Sequence, residues 1–216
     1  MTRRILIVTA VEAEKEAVLR GLRGDSRFAV IAGGVGVAKA AAAAAAAIAA
    51  GGFGLAVSAG IGGGFVGRAE VGSAVVADII ANADLGAETQ DGFMSIEELG
   101  FGKSRIQTDK ALSEAWAAAL QQTGVRAILG PIVSVSTATG TAETANKLAR
   151  RIPGACAEGM EGYGVAAAAE TFGLPVLEIR TISNAVGPRD KPSWRIADAL
   201  RVLETASSIL TEVIKQ

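Results

Sequence analysis

Short apolar runs alternate along the chain with longer segments in which apolar residues recur at helical spacing. The apolar runs predict strands at Arg4–Thr9, Phe28–Ala32, Leu55–Ala59, Ser73–Ile80, Ala127–Val135 and Val176–Ser183. The helical spacing predicts helices at Glu12–Leu22, Ala38–Ala50, Lys110–Gln122, Ala142–Arg151, Tyr163–Phe172 and Ile196–Ile214. Strands that alternate with helices indicate an α/β fold, in which helices cover both faces of a mostly parallel sheet.

No linker, repeat or composition boundary divides the 216 residues, so we expect one domain over residues 1–216. The longest irregular stretch, Asn82 to Asp109, is predicted to be a lid or a binding loop. In sheets of this kind, ligands bind beyond the carboxyl ends of the strands. The residues that follow the predicted strands are therefore the first place to look for a site.

Composition narrows the chemistry and the expected environment. The chain has no histidine, which excludes a Ser-His-Asp triad and any metal site that uses histidine. Its 21 basic and 22 acidic residues give no electrostatic signature of nucleic-acid or membrane binding. The single cysteine, Cys156, favours a reducing compartment, and the most apolar segment, Ala38 to Ala50, is too short to span a bilayer. We therefore expect a cytoplasmic protein.

Polar and glycine-rich segments interrupt the apolar pattern at several predicted strand ends. Gly159-Met160-Glu161-Gly162 and Arg180-Thr181-Ile182-Ser183-Asn184 are two such interruptions, and Glu14 follows the first strand. Gly60 to Gly64 is predicted to be a tight turn that lets a ligand approach the backbone. Gly33-Gly34-Val35-Gly36 precedes the alanine-rich helix, where the helix N-terminus can hold an anion.

Two of these charged residues keep a structural alternative. Glu14 by itself is compatible with an ordinary solvated carboxylate on a helix. Arg180 is either a structural ion-pair partner or a group that orients the Glu14 end of a site.

Four segments together resemble the nucleoside phosphorylase and nucleosidase superfamily, in the branch that contains methylthioadenosine nucleosidase. They are Ala10-Val11-Glu12-Ala13-Glu14, Ser58-Ala59-Gly60-Ile61-Gly62-Gly63, Gly159-Met160-Glu161-Gly162 and Arg180-Thr181-Ile182-Ser183-Asn184. The resemblance implies a three-layer fold, with a central mixed, mostly parallel sheet flanked by helices. It also implies cleavage of an N-glycosidic bond.

The resemblance assigns expected roles by position. Glu14 would activate the attacking water, Glu161 would hold the ribose hydroxyls and Met160 would pack against the sugar. The backbone at Gly62 and Gly63 would flank the purine. Anionic side chains suit this chemistry because the transition state resembles an oxocarbenium ion.

Two departures from the superfamily pattern refine the expected substrate. Members that release adenine end the last motif with Ser-Asp, whereas this chain has Ser183-Asn184. An amide can donate to a 6-oxo group while its carbonyl faces N7, which favours hypoxanthine as the leaving base. Phosphorylases hold phosphate at positions that correspond here to Ser58 and Ile61, and isoleucine cannot bind an anion. Water is therefore the expected nucleophile.

Further segments are similar to the futalosine hydrolase family of the alternative menaquinone pathway. They are Ala83 to Glu88, Gly92-Phe93, Glu98 to Phe101, and Asn184 to Asp190 followed by Trp194. This resemblance implies that futalosine is cleaved to hypoxanthine and dehypoxanthine futalosine, without a metal or an organic cofactor. It also implies a homo-oligomer, a dimer or larger, that binds a small-molecule nucleoside.

Other residues enter the expected site with less specific roles. Arg180, Ser183, Thr137 and Thr139 are candidates for substrate contacts, the two threonines near the base. Phe93, together with Phe101, would either line a pocket for the aromatic carboxylate end of futalosine or anchor the long loop. A methylthioadenosine or adenosylhomocysteine nucleosidase, a purine nucleoside phosphorylase and a non-catalytic nucleoside sensor remain the alternatives.

Overall fold

The computed structural model describes residues 4–214. Its ten strands are β1 Arg4–Thr9, β2 Phe28–Ala32, β3 Phe53–Gly64, β4 Ala74–Asn82, β5 Gly86–Thr89, β6 Gly92–Ser95, β7 Arg105–Gln107, β8 Ala127–Ser134, β9 Ala157–Gly159 and β10 Val176–Ala185. Its six α-helices are α1 Glu12–Leu22, α2 Val37–Ala49, α3 Lys110–Gln121, α4 Ala142–Arg151, α5 Gly162–Thr171 and α6 Ile196–Val213, and a 3₁₀ turn covers Lys191–Ser193.

One mixed sheet of eight strands forms the centre of the protein. Along the sheet the order is β10-β4-β8-β9-β3-β1-β2, with β7 on β4. Because β3 pairs with both β9 and β10, the strands β3, β10, β4, β8 and β9 close into a ring. Five pairings of this sheet are parallel, and β10–β4, β3–β9 and β4–β7 are antiparallel. The predicted mixed, mostly parallel sheet is confirmed.

Helices cover both sides of this sheet. One core cluster joins the strands to α1, α3 and α6, with Trp116 and Leu203 among its buried residues. The other joins them to α2 and α5 and is built mainly from small residues. A Cβ at Gly164 would lie 2.2 Å from the Val37 carbonyl oxygen, so the backbones of α2 and α5 are in close contact. The alanine tract is thus a tightly packed helix, as predicted.

Two sequence predictions are wrong in detail, and one strand of the central sheet was missed. Gly60 to Gly64 is not a turn but the second half of β3, whose glycines leave room for side chains from neighbouring strands. The stretch Asn82 to Asp109 is not irregular, since it contains the β5–β6 hairpin and β7. Strand β9 was not predicted, because three residues are too few to show a periodicity.

Candidate active site

Glu14 is buried at the start of α1, with 4% of its surface exposed. The residue before the helix, Val11, has no side-chain oxygen, and Glu14 supplies the cap: its Oε2 accepts from the amides of Ala10 at 2.9 Å and Val11 at 3.2 Å. Its Oε1 accepts from the Ile61 amide on β3 at 2.9 Å. The alternative of a solvated surface carboxylate is therefore wrong.

Glu161 connects the starts of two helices. It stands immediately before α5, and its Oε1 accepts from the Gly36 amide at the start of α2 at 3.2 Å. Its Oε2 accepts from the Met160 amide at 3.2 Å and from Nη1 of Arg180 at 3.1 Å. The anion at the glycine-rich start of α2 is thus a carboxylate of the protein itself.

Arg180 lies at the centre of the cluster and is 1% exposed. Its Nε donates to Glu178 Oε1 at 2.8 Å, and its Nη2 donates to the Ser58 hydroxyl at 2.9 Å. Burial alone would lower the pKa of the Arg180 guanidinium, but the charges of Glu178, Glu161 and Glu14 outweigh it and raise that pKa. Arg180 therefore remains charged and ties the carboxylates together.

Gly60 explains how Glu14 and Arg180 meet. A Cβ at Gly60 would lie 2.6 Å from Glu14 Oε1 and 2.7 Å from Arg180 Nη1. Both charged groups therefore reach over this residue of β3. Arg180 is therefore a structural ion-pair partner that also lies next to Glu14, and its orienting role at the Glu14 end of the site stays a prediction.

Glu178 belongs to the cluster and was missed by the sequence prediction. It is completely buried on β10, two residues before Arg180, so the two side chains share a face of the strand. Burial raises the pKa of Glu178, although the charge of Arg180 acts in the opposite direction. A carboxylate inside an apolar strand, spaced two residues from an arginine, was the signal that could have identified it.

Asn184 lies on the opposite face of β10 from Arg180. In a regular strand, residues 180, 182 and 184 would share a face. Here Ile182 pairs with Gly62 and Asn184 pairs with Gly63, so Ser183 is an extra residue in β10 and the strand has a bulge. Asn184 Oδ1 lies 2.8 Å from the Ser183 hydroxyl, and its Nδ2 donates to the Ala185 carbonyl at 3.0 Å. The Ser183 hydroxyl also lies 3.2 Å from the Gly62 carbonyl oxygen.

Thr137 and Thr139 lie in the segment between β8 and α4. Thr137 is exposed, whereas Thr139 is buried and donates twice to Glu158 on β9. The Thr139 amide is 2.9 Å from Glu158 Oε1, and its hydroxyl donates to Oε2. Glu158 is a second buried carboxylate that the sequence prediction missed, because β9 itself was not recognised.

Phe93 lies in a different part of the protein. It is on β6, its ring centroid is 3.7 Å from the guanidinium carbon of Arg151, and it lines an open cavity between the β5–β6 hairpin and α4. Phe101 is 80% exposed. Neither aromatic has a described contact with the Glu14, Glu161 and Arg180 cluster.

Comparisons with known proteins identify the family of this chain. The model of the phosphorylase superfamily matches residues 8–216. The futalosine hydrolase of Streptomyces coelicolor is 46% identical, over 98% of this chain and 96% of its own length. The chain belongs to the phosphorylase superfamily and, within it, to the futalosine hydrolase family.

A second member of the futalosine hydrolase family, from Acidothermus cellulolyticus, is 43% identical over 97% of this chain and 91% of its own length. The native structure of futalosine hydrolase of Helicobacter pylori shares the fold, with a TM-score of 0.84, at 19% identity and with coverage of 99% of this chain and 97% of that one. The resemblance predicted from the sequence motifs is confirmed.

Two further observations concern metals and membranes. Within residues 4–214, no group of three or more Cys, Asp or Glu side chains is placed to hold a metal ion. None of the helices in that part of the chain is long and apolar enough to cross a membrane.

Proposed function

We propose that this protein hydrolyses the N-glycosidic bond of futalosine and releases hypoxanthine and dehypoxanthine futalosine. The observation that carries the proposal is the buried cluster in which Glu161 accepts a hydrogen bond from Arg180 and Glu14 lies beside the same guanidinium. The 46% and 43% identity to two futalosine hydrolases supports the choice of substrate.

In this proposal Glu14 is the base that activates water. The attacking oxygen bonds to the anomeric carbon as the bond from that carbon to the purine breaks, and one water proton passes to the Glu14 carboxylate. The electron pair of the broken bond leaves with the purine, which takes up a proton from solvent to become hypoxanthine. Three backbone amides hold the two Glu14 oxygens, so the carboxylate is already oriented before the substrate binds.

Glu161 would bind the ribose hydroxyls, with Met160 against the sugar. The cluster holds three carboxylates, Glu14, Glu161 and Glu178, around one guanidinium. Acidic groups thus outnumber basic ones in the cluster, and negative charge there stabilises the positive charge that develops on the sugar ring. At the other end, Asn184 would bind the N7 and 6-oxo side of the base, beside the backbone of Gly62 and Gly63.

The cluster favours water over phosphate as the nucleophile. Arg180 Nε, Nη1 and Nη2 each donate to a group of the protein, and Ser58 is fully buried beneath the guanidinium. An incoming phosphate would have to compete with Glu178 and Glu161 for Arg180, at a site that already carries several carboxylates.

The test is a panel of futalosine, inosine and methylthioadenosine, each with and without phosphate, in which released base is measured by chromatography. We expect hypoxanthine from futalosine at a rate that phosphate does not change. Phosphate-dependent release would identify a phosphorylase, adenine release from methylthioadenosine would identify the rival nucleosidase, and no release from any nucleoside would favour a sensor. Assembly into a homo-oligomer, a cytoplasmic location and a single domain over residues 1–216 stay predictions.

A further inference from the structure

Glu158 and Asn184 lie on either side of the same residue of β3. Gly63 pairs with Glu158 of β9 and with Asn184 of β10. Residues paired directly across strands share a face of the sheet, and a Cβ at Gly63 would lie 3.4 Å from Asn184 Nδ2. Both side chains therefore start from one face, with Cα atoms about 10 Å apart, since neighbouring strands are about 4.8 Å apart.

An apolar side chain, Val186, lies over the glycine that separates the two polar residues. A Cβ at Gly63 would lie 2.9 Å from Val186 Cγ2, so the valine packs over the glycine. Two polar side chains that flank a small apolar surface match the needs of a flat base, which has hydrogen-bonding edges around apolar faces.

Glu158 is an unusual residue for this position. It is 7% exposed, and none of the ion pairs among residues 4–214 includes it. Burial raises the pKa of Glu158, and the Thr139 hydrogen bonds counteract this only in part. Buried carboxylates are rare without a cation, because the charge loses its hydration.

Glu158 anchors the segment between β8 and α4 by accepting from Thr139, but these bonds use only part of its hydrogen-bonding capacity. A carboxylate has about four acceptor sites, and Thr139 uses one on each oxygen. Each Glu158 oxygen therefore keeps an acceptor site that Thr139 does not use.

We propose that Glu158 is a specificity-determining residue that accepts the N1–H of a 6-oxopurine, while Asn184 binds the N7 and 6-oxo side of the same base. This inference rests on the proposed function. A 6-oxopurine has a hydrogen on N1, whereas adenine has a lone pair there, so a carboxylate attracts the first base and repels the second. Glu158 thus selects the base through its N1 edge, whereas Asn184 binds the N7 and 6-oxo side.

The test measures binding of free hypoxanthine, 1-methylhypoxanthine and adenine by calorimetry. The unaltered protein should bind hypoxanthine roughly 10- to 100-fold more tightly than 1-methylhypoxanthine, as expected for a hydrogen bond to a charged group. Glu158→Gln should narrow the hypoxanthine-to-adenine affinity ratio by a similar factor.

Two results would each overturn the role of Glu158. One is equal affinity of the unaltered protein for hypoxanthine and 1-methylhypoxanthine. The other is an equal loss of affinity for all three bases in Glu158→Gln. The first comparison needs no variant, so it remains decisive if Glu158→Gln does not fold. Futalosine turnover is measured in the same preparation. Loss of turnover with the base preference retained would count against the proposed function alone, and turnover without the base preference would count against Glu158 alone.

Discussion

Gly162→Ala tests whether the buried pair of Glu178 and Arg180 depends on the glycine beside it. A Cβ at Gly162 would lie 2.1 Å from both carboxylate oxygens of Glu178, and real Cβ contacts essentially never fall below 3.0 Å. The carboxylate must therefore move by roughly 1 Å. Glu178 is completely buried and bonded to Arg180 Nε at 2.8 Å, so a movement of this size disrupts the hydrogen bond of the buried ion pair.

The expected cost follows from two opposing effects. Breaking a buried ion pair costs about 3–5 kcal/mol. Alanine gains at most about 1 kcal/mol over glycine in a helix, and less at Gly162, which is the first residue of α5. The free energy of unfolding should fall by about 2–4 kcal/mol, which corresponds to a melting temperature roughly 5–15 °C lower for a domain of this size.

Urea denaturation and thermal melting at one fixed protein concentration measure this loss. Gly140→Ala is the matched control, because a Cβ there would meet only Arg189 side-chain carbons at 3.7 and 3.8 Å. Its stability should change by less than about 0.5 kcal/mol.

The double variant Gly162→Ala with Glu178→Ala separates the clash from other effects. With the carboxylate gone, the new methyl group has nothing to displace, so the double variant should be no less stable than Glu178→Ala alone. The two changes would then be non-additive by about 2–4 kcal/mol, the whole cost of Gly162→Ala by itself. Additive costs, or a Gly162→Ala protein as stable as the unaltered one, would refute the reasoning.

Three further substitutions test the site. Glu14→Gln should lower turnover of futalosine by about 10²-fold or more, and unchanged turnover would remove Glu14 as the base. The same variant should lower the free energy of unfolding by about 1–3 kcal/mol, because both Glu14 oxygens accept from backbone amides and the NH₂ of glutamine must face one of them. Asn184→Asp should shift a substrate panel toward adenine nucleosides, and an unaltered hypoxanthine preference would contradict its role in base selection. Arg180→Lys should lower the free energy of unfolding by about 3 kcal/mol, since an ammonium cannot replace the guanidinium fork that bonds Glu178, Glu161 and Ser58; an unchanged urea midpoint would contradict this.

Much of the fold followed from local patterns. The ends of β1, β2, α1 and α4 coincide with their predicted limits, because each has a clear period bounded by polar or glycine residues. The second half of β3 was not predicted, since glycine normally weakens a strand. In this protein Gly60 and Gly62 instead make room for Glu14 and Arg180.

The motifs also identified Glu14, Glu161, Arg180 and Asn184 as polar breaks at strand ends. Glu158 was missed because its significance depends on a partner from another part of the chain, whereas Glu178 was missed although its partner Arg180 stands two residues after it. Thr139, which donates to Glu158, is 19 residues away in the chain. The Glu178 carboxylate fits into its place because Gly162, on α5, has no side chain.

By itself the sequence determined the α/β class, the six α-helices to within one residue at each end, and the family, because these depend on periodicity and on short ordered motifs. Only the tertiary structure decided which carboxylates are buried, which of them share Arg180, and that the bulge at Ser183 turns Asn184 toward the face of Glu158. Burial and facing depend on pairing between strands that are distant in the chain, and one inserted residue reverses the face of every side chain that follows.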